Sequence, residues 1–206
     1  MKKIEPFRTL VDAKKSLDNG GRLFNLFSTP DDGTITEAEI NKAAGVTSGS
    51  QESALFLLLA SSRLNDADQQ GLTDMLTGSV KRFREKYAPE YLIPADVSQL
   101  PEGINVIVHG KLEPVPADTE ETAFTKKLHI AGKVPTYEYE SIFEAYRVYR
   151  LTDSNTGNTI FAVHDKAHES LHEGPFTLGC VSRSYFLKKS DEDATHRLLE
   201  IRYYID

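Results

Sequence analysis

The sequence predicts an α+β protein, with a helical N-terminal domain to about residue 92 and a mostly antiparallel β domain over residues 93–206. In the first ninety residues, apolar side chains recur every three to four positions, as in helices with one buried face. From Gly103 onward, apolar and polar side chains alternate, which is typical of half-buried strands. Pro89 and Pro94 separate the two patterns and indicate a linker.

Helical periodicity divides the N-terminal part into four segments. Gly45 ends the second segment, and Asn65 or Asp66 can cap the fourth. The third segment is rich in apolar side chains throughout, so we expect it to lie at the centre of a helical bundle. The segments cover residues 4–17, 36–44, 52–64 and 66–87.

The C-terminal part contains five predicted strands. Residues 113–127 are expected to form a loop or an irregular hairpin, and residues 155–158 a turn. One short helix is expected near residues 164–173, ended by Gly174 and Pro175. The strands fall at residues 104–108, 144–152, 159–163, 176–187 and 198–205.

This element order resembles that of the OB-fold, a five-stranded barrel with a helix between its third and fourth strands. The resemblance concerns the order strand, long loop, two strands, short helix and two strands, over about 100 residues. It implies a small β-barrel or sheet domain after the helices. A barrel of this kind that binds single-stranded nucleic acid is one function that the resemblance implies.

Composition and charge limit the classes of ligand. The net charge is −7, and residues 93–206 hold 18 acidic but only 12 basic side chains. Because an acidic surface repels phosphates, another protein is a better candidate ligand than nucleic acid. No apolar run approaches the ~20 residues of a membrane-spanning helix, and residues 1–6 lack the pattern of a secretory signal. The single cysteine, Cys180, lies in an apolar strand, so we expect a buried thiol in a cytoplasmic protein without a membrane partner.

Three of the six histidines lie within nine residues, and residues 168–172 read H-E-x-x-H. On a helix His168 and His172 would share a face and could bind one zinc ion, while Glu169 activates a water molecule. This pattern resembles that of the zincin metalloproteases and implies a zinc hydrolase with Glu169 as its base. A second hypothesis is a non-catalytic metal site of His164, His168 and His172. The third is a solvated helix that packs Leu171 inward.

Residues 28–39 resemble an EF-hand calcium loop. Asp32 stands at the fifth position, Gly33 at the sixth and Glu39 at the twelfth. The resemblance implies a calcium site with Asp32 and Glu39 as ligands, or a metal-free EF-hand-like unit. The same residues also fit a turn followed by a capping box, in which Thr36 caps a helix and Glu39 follows three residues later.

Tyrosine and arginine are interleaved on the predicted strands. In OB-like proteins that bind single strands, aromatic rings stack on bases and arginines bind phosphates. Tyr146, Arg147, Arg183 and Tyr185 are therefore candidate nucleic-acid contacts. The same residue types also suit the wet face of an ordinary sheet, where cross-strand pairs stabilise it, or a protein-binding face.

The function that these observations favour is that of a non-enzymatic binding or interaction protein whose ligand is another protein. A zinc-dependent hydrolase acting through residues 168–172 and an OB-like binder of single-stranded nucleic acid are the alternatives. Zinc at the histidine segment and calcium at residues 28–39 are the two candidate cofactors. The oligomeric state does not follow from the sequence.

Overall fold

The computed structural model describes residues 1–17, 35–46, 50–76, 81–82, 85, 97–116, 122–191 and 193–206, and it contains both helices and strands. The helices with defined bounds are α1 (Leu10–Leu17), α2 (Glu37–Ala44), α3 (Ser50–Ala60), α4 (Asp66–Met75), the 3-10 helix Val97–Gln99 and the one-turn α5 (Ile142–Ala145). The strands are β1 (Lys2–Lys3), β2 (Asn105–Pro114), β3 (Phe124–Ala131), β4 (Val134–Ser141), β5 (Tyr146–Asp153), β6 (Thr159–Asp165), β7 (Gly174–Tyr185) and β8 (His196–Ile205).

Five of these strands form a closed, barrel-like sheet. β2 pairs with β5 on one side and with β7 on the other, antiparallel in both cases. β5 pairs antiparallel with β6, β6 pairs parallel with β8, and β8 closes the sheet by pairing antiparallel with β7. The short β1 adds to β8 in parallel. This closed sheet in an α+β chain is compatible with an OB-like fold, in keeping with the predicted element order.

Alternate residues of the five strands point into the barrel and fill it. Cys180 is one of them, and burial raises the pKa of its thiol, so it is a structural residue as expected. The main interior residues are Val106, Val108, Leu112, Tyr149, Leu151, Ile160, Ala162, Phe176, Leu178, Cys180, Leu199 and Ile201.

Helix α3 connects the helical region to the barrel. It contacts α2 on one side and β2 and β7 on the other, and its residues 53–60 are all buried, as a central helix requires. Leu55 and Leu59 approach the β7 backbone at Gly179, where a Cβ atom would lie 3.3 Å and 3.2 Å from their side chains. Ile107 and Tyr203 of the barrel join the same hydrophobic core. The predicted domain boundary near residue 92 lies outside the described residues.

The start and end of α2 confirm two details of the predicted helices. Thr36 Oγ1 accepts a hydrogen bond from the backbone N–H of Glu39 at 3.3 Å, and Glu39 Oε2 accepts one from the N–H of Thr36 at 3.0 Å. This is the predicted capping box. Gly45 follows the helix with φ at 76°, a left-handed conformation that glycine adopts without a steric cost.

Three other predictions were wrong. Residues 166–173 form a turn, bends and residues without regular secondary structure, rather than the short helix predicted near residues 164–173. Strand β2 continues to Pro114 instead of ending at residue 108. The loop or irregular hairpin expected over residues 113–127 corresponds in part to a hairpin, which β3 and β4 form over residues 124–141. The first helix begins at Leu10 rather than at residue 4.

Candidate functional site

The histidine-rich segment is a connection between β6 and β7 that side chains fix to the barrel. The Asp165 carboxylate accepts a hydrogen bond from Ala167 N at 2.8 Å, and this turns the chain where a helix would have to start. Arg147 on β5 donates from Nε to the carbonyl of His168 at 3.1 Å and from Nη2 to that of Lys166 at 3.4 Å. The carbonyls of Lys166 and His168 therefore accept hydrogen bonds from the Arg147 side chain, and not from the backbone N–H groups of a following helical turn.

His164 lies inside the barrel end and uses both ring nitrogens in hydrogen bonds. Its ring stacks on Tyr149 with the centroids 5.4 Å apart. The Tyr149 hydroxyl accepts a hydrogen bond from Leu171 N at 2.9 Å and lies 3.0 Å from His164 Nε2. His164 Nδ1 lies 2.9 Å from the carbonyl of Asp165, which can only accept. The network therefore assigns the proton to Nδ1, and Nε2 accepts from the tyrosine.

Burial sets the protonation states of this network. It lowers the pKa of the His164 imidazole and raises the pKa of the Tyr149 phenol. The neutral imidazole and the protonated phenol are the forms that the hydrogen bonds require. Because Leu171 N also bonds the phenol, the network fixes the middle of the histidine-rich connection to β5.

The structure does not provide the helical spacing on which the zinc predictions depended. His168 Nε2 lies 2.8 Å from the N-terminal amine, and the His172 ring packs on Phe176 with the centroids 4.9 Å apart. Within the described ranges, no three His, Cys, Asp or Glu side chains are grouped so that they could hold a metal ion. His164, His168 and His172 are thus not brought together as a ligand set, and the assignment of Glu169 as a catalytic base has no geometric support.

The proposed calcium ligands are described only in part. The Glu39 carboxylate accepts hydrogen bonds from the Thr36 N–H at 3.0 Å and from the Thr36 hydroxyl at 2.8 Å. The capping box therefore explains the presence and the position of the Glu39 carboxylate without a metal ion. Asp32 lies outside the described residues together with the rest of residues 18–34, and calcium binding there stays a prediction.

The four candidate nucleic-acid contacts do not form one surface. Arg147 holds the connection described above, and Arg183 Nε is ion-paired with Glu200 Oε2 at 2.9 Å. Tyr146 and Arg183 border a depression of about 160 Å³ beside β3. Tyr185 instead lines a separate and larger cleft.

This larger cleft, named the basic cleft here, has a volume of about 1080 Å³. It lies along β5 and β6 and is completed by the end of β7, the start of β8 and the connection between them. The 3-10 helix contributes one wall. The lining residues are Gln99, Leu100, Thr122, Arg150, Thr159, Ile160, Phe161, Tyr185, Leu187, Lys188, Thr195, His196 and Arg197.

Arg150, Lys188 and Arg197 supply the charge of the basic cleft, and its described lining includes no carboxylate. His196 adds an imidazole at the start of β8. Glu113 stands opposite Arg150 in the β2–β5 pair, and its carboxylate is ion-paired at 2.7 Å with Lys111 of its own strand. The cleft is therefore a basic region in a chain of net charge −7, and its field favours an anionic group.

Aromatic rings line the same cleft and contact one another. The Phe161 and Tyr185 ring centroids are 5.7 Å apart, and those of Tyr185 and His196 are 5.2 Å apart. Phe143 packs edge-on against Phe161 from outside the cleft, with the centroids 6.1 Å apart. Phe161 is held between two rings and is partly buried, so it forms an apolar part of the wall, whereas the His196 ring at the end of the row is exposed.

Arg197 is positioned by the backbone of the neighbouring segment. Its Nε donates to the carbonyl of Leu100 and its Nη1 to Ser184 Oγ, each at 2.6 Å. These bonds orient the guanidinium at the wall of the cleft and join the 3-10 helix region to β8. A substitution of Arg197 would therefore disturb the wall as well as the charge.

Sequence reasoning identified one residue of the basic cleft, Tyr185. Arg150 belongs to the same Tyr–Arg run as Arg147, but strand alternation places the two arginines on opposite faces. His196 and Arg197 come next to β5 and β6 only because β8 pairs with β6 in parallel. That pairing is a long-range property which local sequence patterns do not contain.

A scan against protein-family models finds no match to this chain, and a search of curated proteins finds none either. Of the helices in the described residues, none is both long and apolar enough to cross a membrane.

Proposed function

We propose that this chain is a non-enzymatic binding protein that holds an acidic segment of a partner protein in the basic cleft. The observation that carries the proposal is the charge of the cleft: Arg150, Lys188 and Arg197 line it without a carboxylate among its described residues. Two of the three are arginines, whose guanidinium groups bind carboxylates in a bidentate manner. The net charge of the whole chain is −7, so this attraction is a local property of the cleft lining.

The position of the cleft supports a binding role. OB-fold barrels bind ligands on the face of their second and third strands and in the loops after the first and fourth. In an OB-like assignment of this barrel, β5 and β6 are the second and third strands, and the β7–β8 connection carries Leu187 and Lys188 into the cleft. This is a comparison of folds, so it supports the location of the site. The class of ligand is argued from the residues that line the cleft.

Single-stranded nucleic acid is the second candidate ligand, because Phe161, Tyr185 and His196 lie beside the basic residues. We place it second for two reasons. Phe161 is partly buried between the rings of Phe143 and Tyr185, so it offers little open face for stacking on bases. The net charge of −7 also opposes a long polyanion that extends beyond the cleft.

Two reactive side chains of the barrel are in a structural rather than a catalytic setting. The Cys180 thiol is buried in the barrel, and His164 is hydrogen-bonded at both nitrogens. Neither residue lines the basic cleft. The cytoplasmic location stays a prediction from the unpaired cysteine.

The ligand class can be tested with the full chain and three fluorescein-labelled probes: decaglutamate, decaglutamine and a thymidine decanucleotide. We expect decaglutamate to bind and decaglutamine to fail, as measured by fluorescence anisotropy at low salt. The double variant Arg150→Gln/Lys188→Gln should weaken decaglutamate binding about tenfold or more, because it removes two of the cleft's charges. Arg197 is left unchanged because it also holds Leu100 and Ser184.

The matched control is Lys3→Gln/Lys42→Gln, which removes the same charge from exposed positions outside the cleft. An equal loss of binding in both double variants would mean that net charge alone attracts the peptide, and would overturn the proposal. Tighter binding of the oligonucleotide than of decaglutamate, with the same dependence on Arg150 and Lys188, would assign nucleic acid to the cleft instead.

A further inference from the structure

The β3–β4 hairpin lies outside the barrel and has two chemically different faces. Residues that stand directly opposite each other in an antiparallel pair point to the same side of the sheet. The register of β3 and β4 therefore gives one face that, beyond the Phe124–Ser141 pair at its base, is apolar and aromatic apart from one lysine. This apolar face consists of Lys126, Leu128, Ile130, Pro135, Tyr137 and Tyr139.

The apolar face is covered at its base and open toward its tip. At the base, buried Phe186 contacts Tyr139 with the ring centroids 5.7 Å apart. Toward the tip, Leu128, Ile130 and Tyr137 are 54%, 75% and 55% exposed. Contiguous exposed apolar side chains are a feature of protein interaction sites. The covered base shows that an apolar group already packs on this face within the chain.

Three lysines lie on or beside the apolar face. Lys126 Nζ lies 4.0 Å from the centroid of the Tyr137 ring, on the face itself. Lys189 Nζ lies 5.2 Å from the ring centroid of Phe124 at the hairpin base. Lys133 stands in the exposed turn between the two strands. A partner therefore meets apolar side chains bordered by ammonium groups.

The carboxylates of the hairpin lie on the opposite face and are already paired. Glu138 contacts the His129 ring nitrogen at 2.7 Å, and Glu140 is ion-paired with Lys127. The hairpin thus separates its charges, with the carboxylates on one face and a lysine among the apolar side chains of the other. This arrangement is complementary to an apolar surface that carries carboxylates.

We propose that the apolar face of the β3–β4 hairpin docks a partner protein through an apolar strip bordered by carboxylates. Docking uses the face rather than the strand edges, because Pro135 on β4 and the lysines of β3 protect the edges from pairing with another strand. A second copy of this chain is disfavoured as the occupant, since it would bring an equally basic face to Lys126. The proposal does not depend on the ligand of the basic cleft.

Two labelled octapeptides test the proposal: one alternates Leu or Ile with Glu, and the other has Lys in place of Glu. We expect the acidic peptide to bind the full chain at least tenfold more tightly than the basic one in fluorescence anisotropy. Ile130→Thr should weaken acidic-peptide binding about tenfold, because it removes the most exposed apolar group of the face. Lys126→Glu should reverse the preference between the peptides.

Val134→Thr is the matched control, because Val134 is 66% exposed near the same tip but lies on the opposite face. Equal weakening by Val134→Thr and Ile130→Thr would overturn the assignment of the face. Equal affinity for the two peptides would overturn the charge complementarity. Loss of binding in Arg150→Gln/Lys188→Gln but not in Ile130→Thr would place the peptide in the basic cleft, which overturns this proposal and supports the other.

Two further measurements test the other candidate occupants of the apolar face, a lipid surface and a second copy of this chain. Ile130-dependent binding to phosphatidylserine vesicles without peptide binding would identify a lipid surface and overturn the proposal. Ile130-dependent dimerisation in sedimentation equilibrium would do the same in favour of a second copy.

Discussion

Gly110→Ala is expected to lower the free energy of unfolding by about 1–3 kcal/mol, the usual cost of overpacking a rigid core. Gly110 lies in β2 between β5 and β7, opposite Asp153 and Phe176. A Cβ atom at this position would lie 2.5 Å from the carbonyl oxygen of Thr152 and 2.6 Å from Leu151 Cδ1. The carbonyl belongs to the backbone of a paired strand, so it cannot move without disturbing the barrel closure.

Urea unfolding followed by far-ultraviolet circular dichroism measures this loss as a lower midpoint at an unchanged slope. The control is Lys111→Ala at the adjacent position, where the side chain is exposed and its removal creates no overlap. A wild-type midpoint in Gly110→Ala would mean that β2 and β5 are farther apart at this point than described. A weaker dependence of the free energy of unfolding on urea concentration would indicate a change in the compactness of the folded or unfolded state instead of a local clash.

Gly110 also explains why the sequence prediction of β2 was too short. Glycine has a low strand propensity, and the prolines and mixed charges of residues 113–127 favoured a loop. The strand nevertheless continues to Pro114, because the glycine allows the close approach of β5. Local propensity predicts the first part of the strand. Its continuation to Pro114 depends on long-range packing against β5.

The prediction for α2 succeeded because every determinant is local. Thr36, Glu39 and Gly45 define the helix within ten residues of sequence, so the chain needs no tertiary contact to specify it. The histidine-rich segment shows the opposite case. Its composition permits a helix, but Arg147 and Tyr149 on β5 form hydrogen bonds with its backbone, and the segment is not helical. The competing hydrogen bonds come from residues that sequence patterns do not relate to it.

The basic cleft required a long-range pairing before it could be recognised. Arg150 lies on β5 and Arg197 on β8, with β6, β7 and their connections between them in the sequence. Each arginine alone fits an ordinary sheet surface. The parallel β6–β8 pair brings them to one cleft. Alternation along each strand predicts on which side of the sheet an arginine lies. Which strands become neighbours, and therefore which arginines share a cleft, depends on the closure of the barrel.

His164→Gln is expected to cost about 1–3 kcal/mol at pH 7.5 and to remove part of the pH dependence of stability. The substitution disrupts the hydrogen bonds of a buried side chain and its stacking on Tyr149. Burial lowers the pKa of His164, so below about pH 6.5 the unfolded chain binds a proton that the folded chain resists. The free energy of unfolding of the wild type should therefore fall as the pH drops below this value.

Tyr149→Phe separates the hydrogen bond from the titration. It removes the hydroxyl that bonds both His164 and Leu171, so we expect a similar loss of about 1–3 kcal/mol. It retains the buried imidazole, so the decline in stability at low pH should persist. Urea unfolding between pH 5 and 8 distinguishes the two variants: the wild-type and Tyr149→Phe curves should decline together, and the His164→Gln curve should be flatter. If all three declined equally, His164 would titrate alike in the folded and unfolded chains, and the neutral imidazole assigned to the barrel end would be wrong.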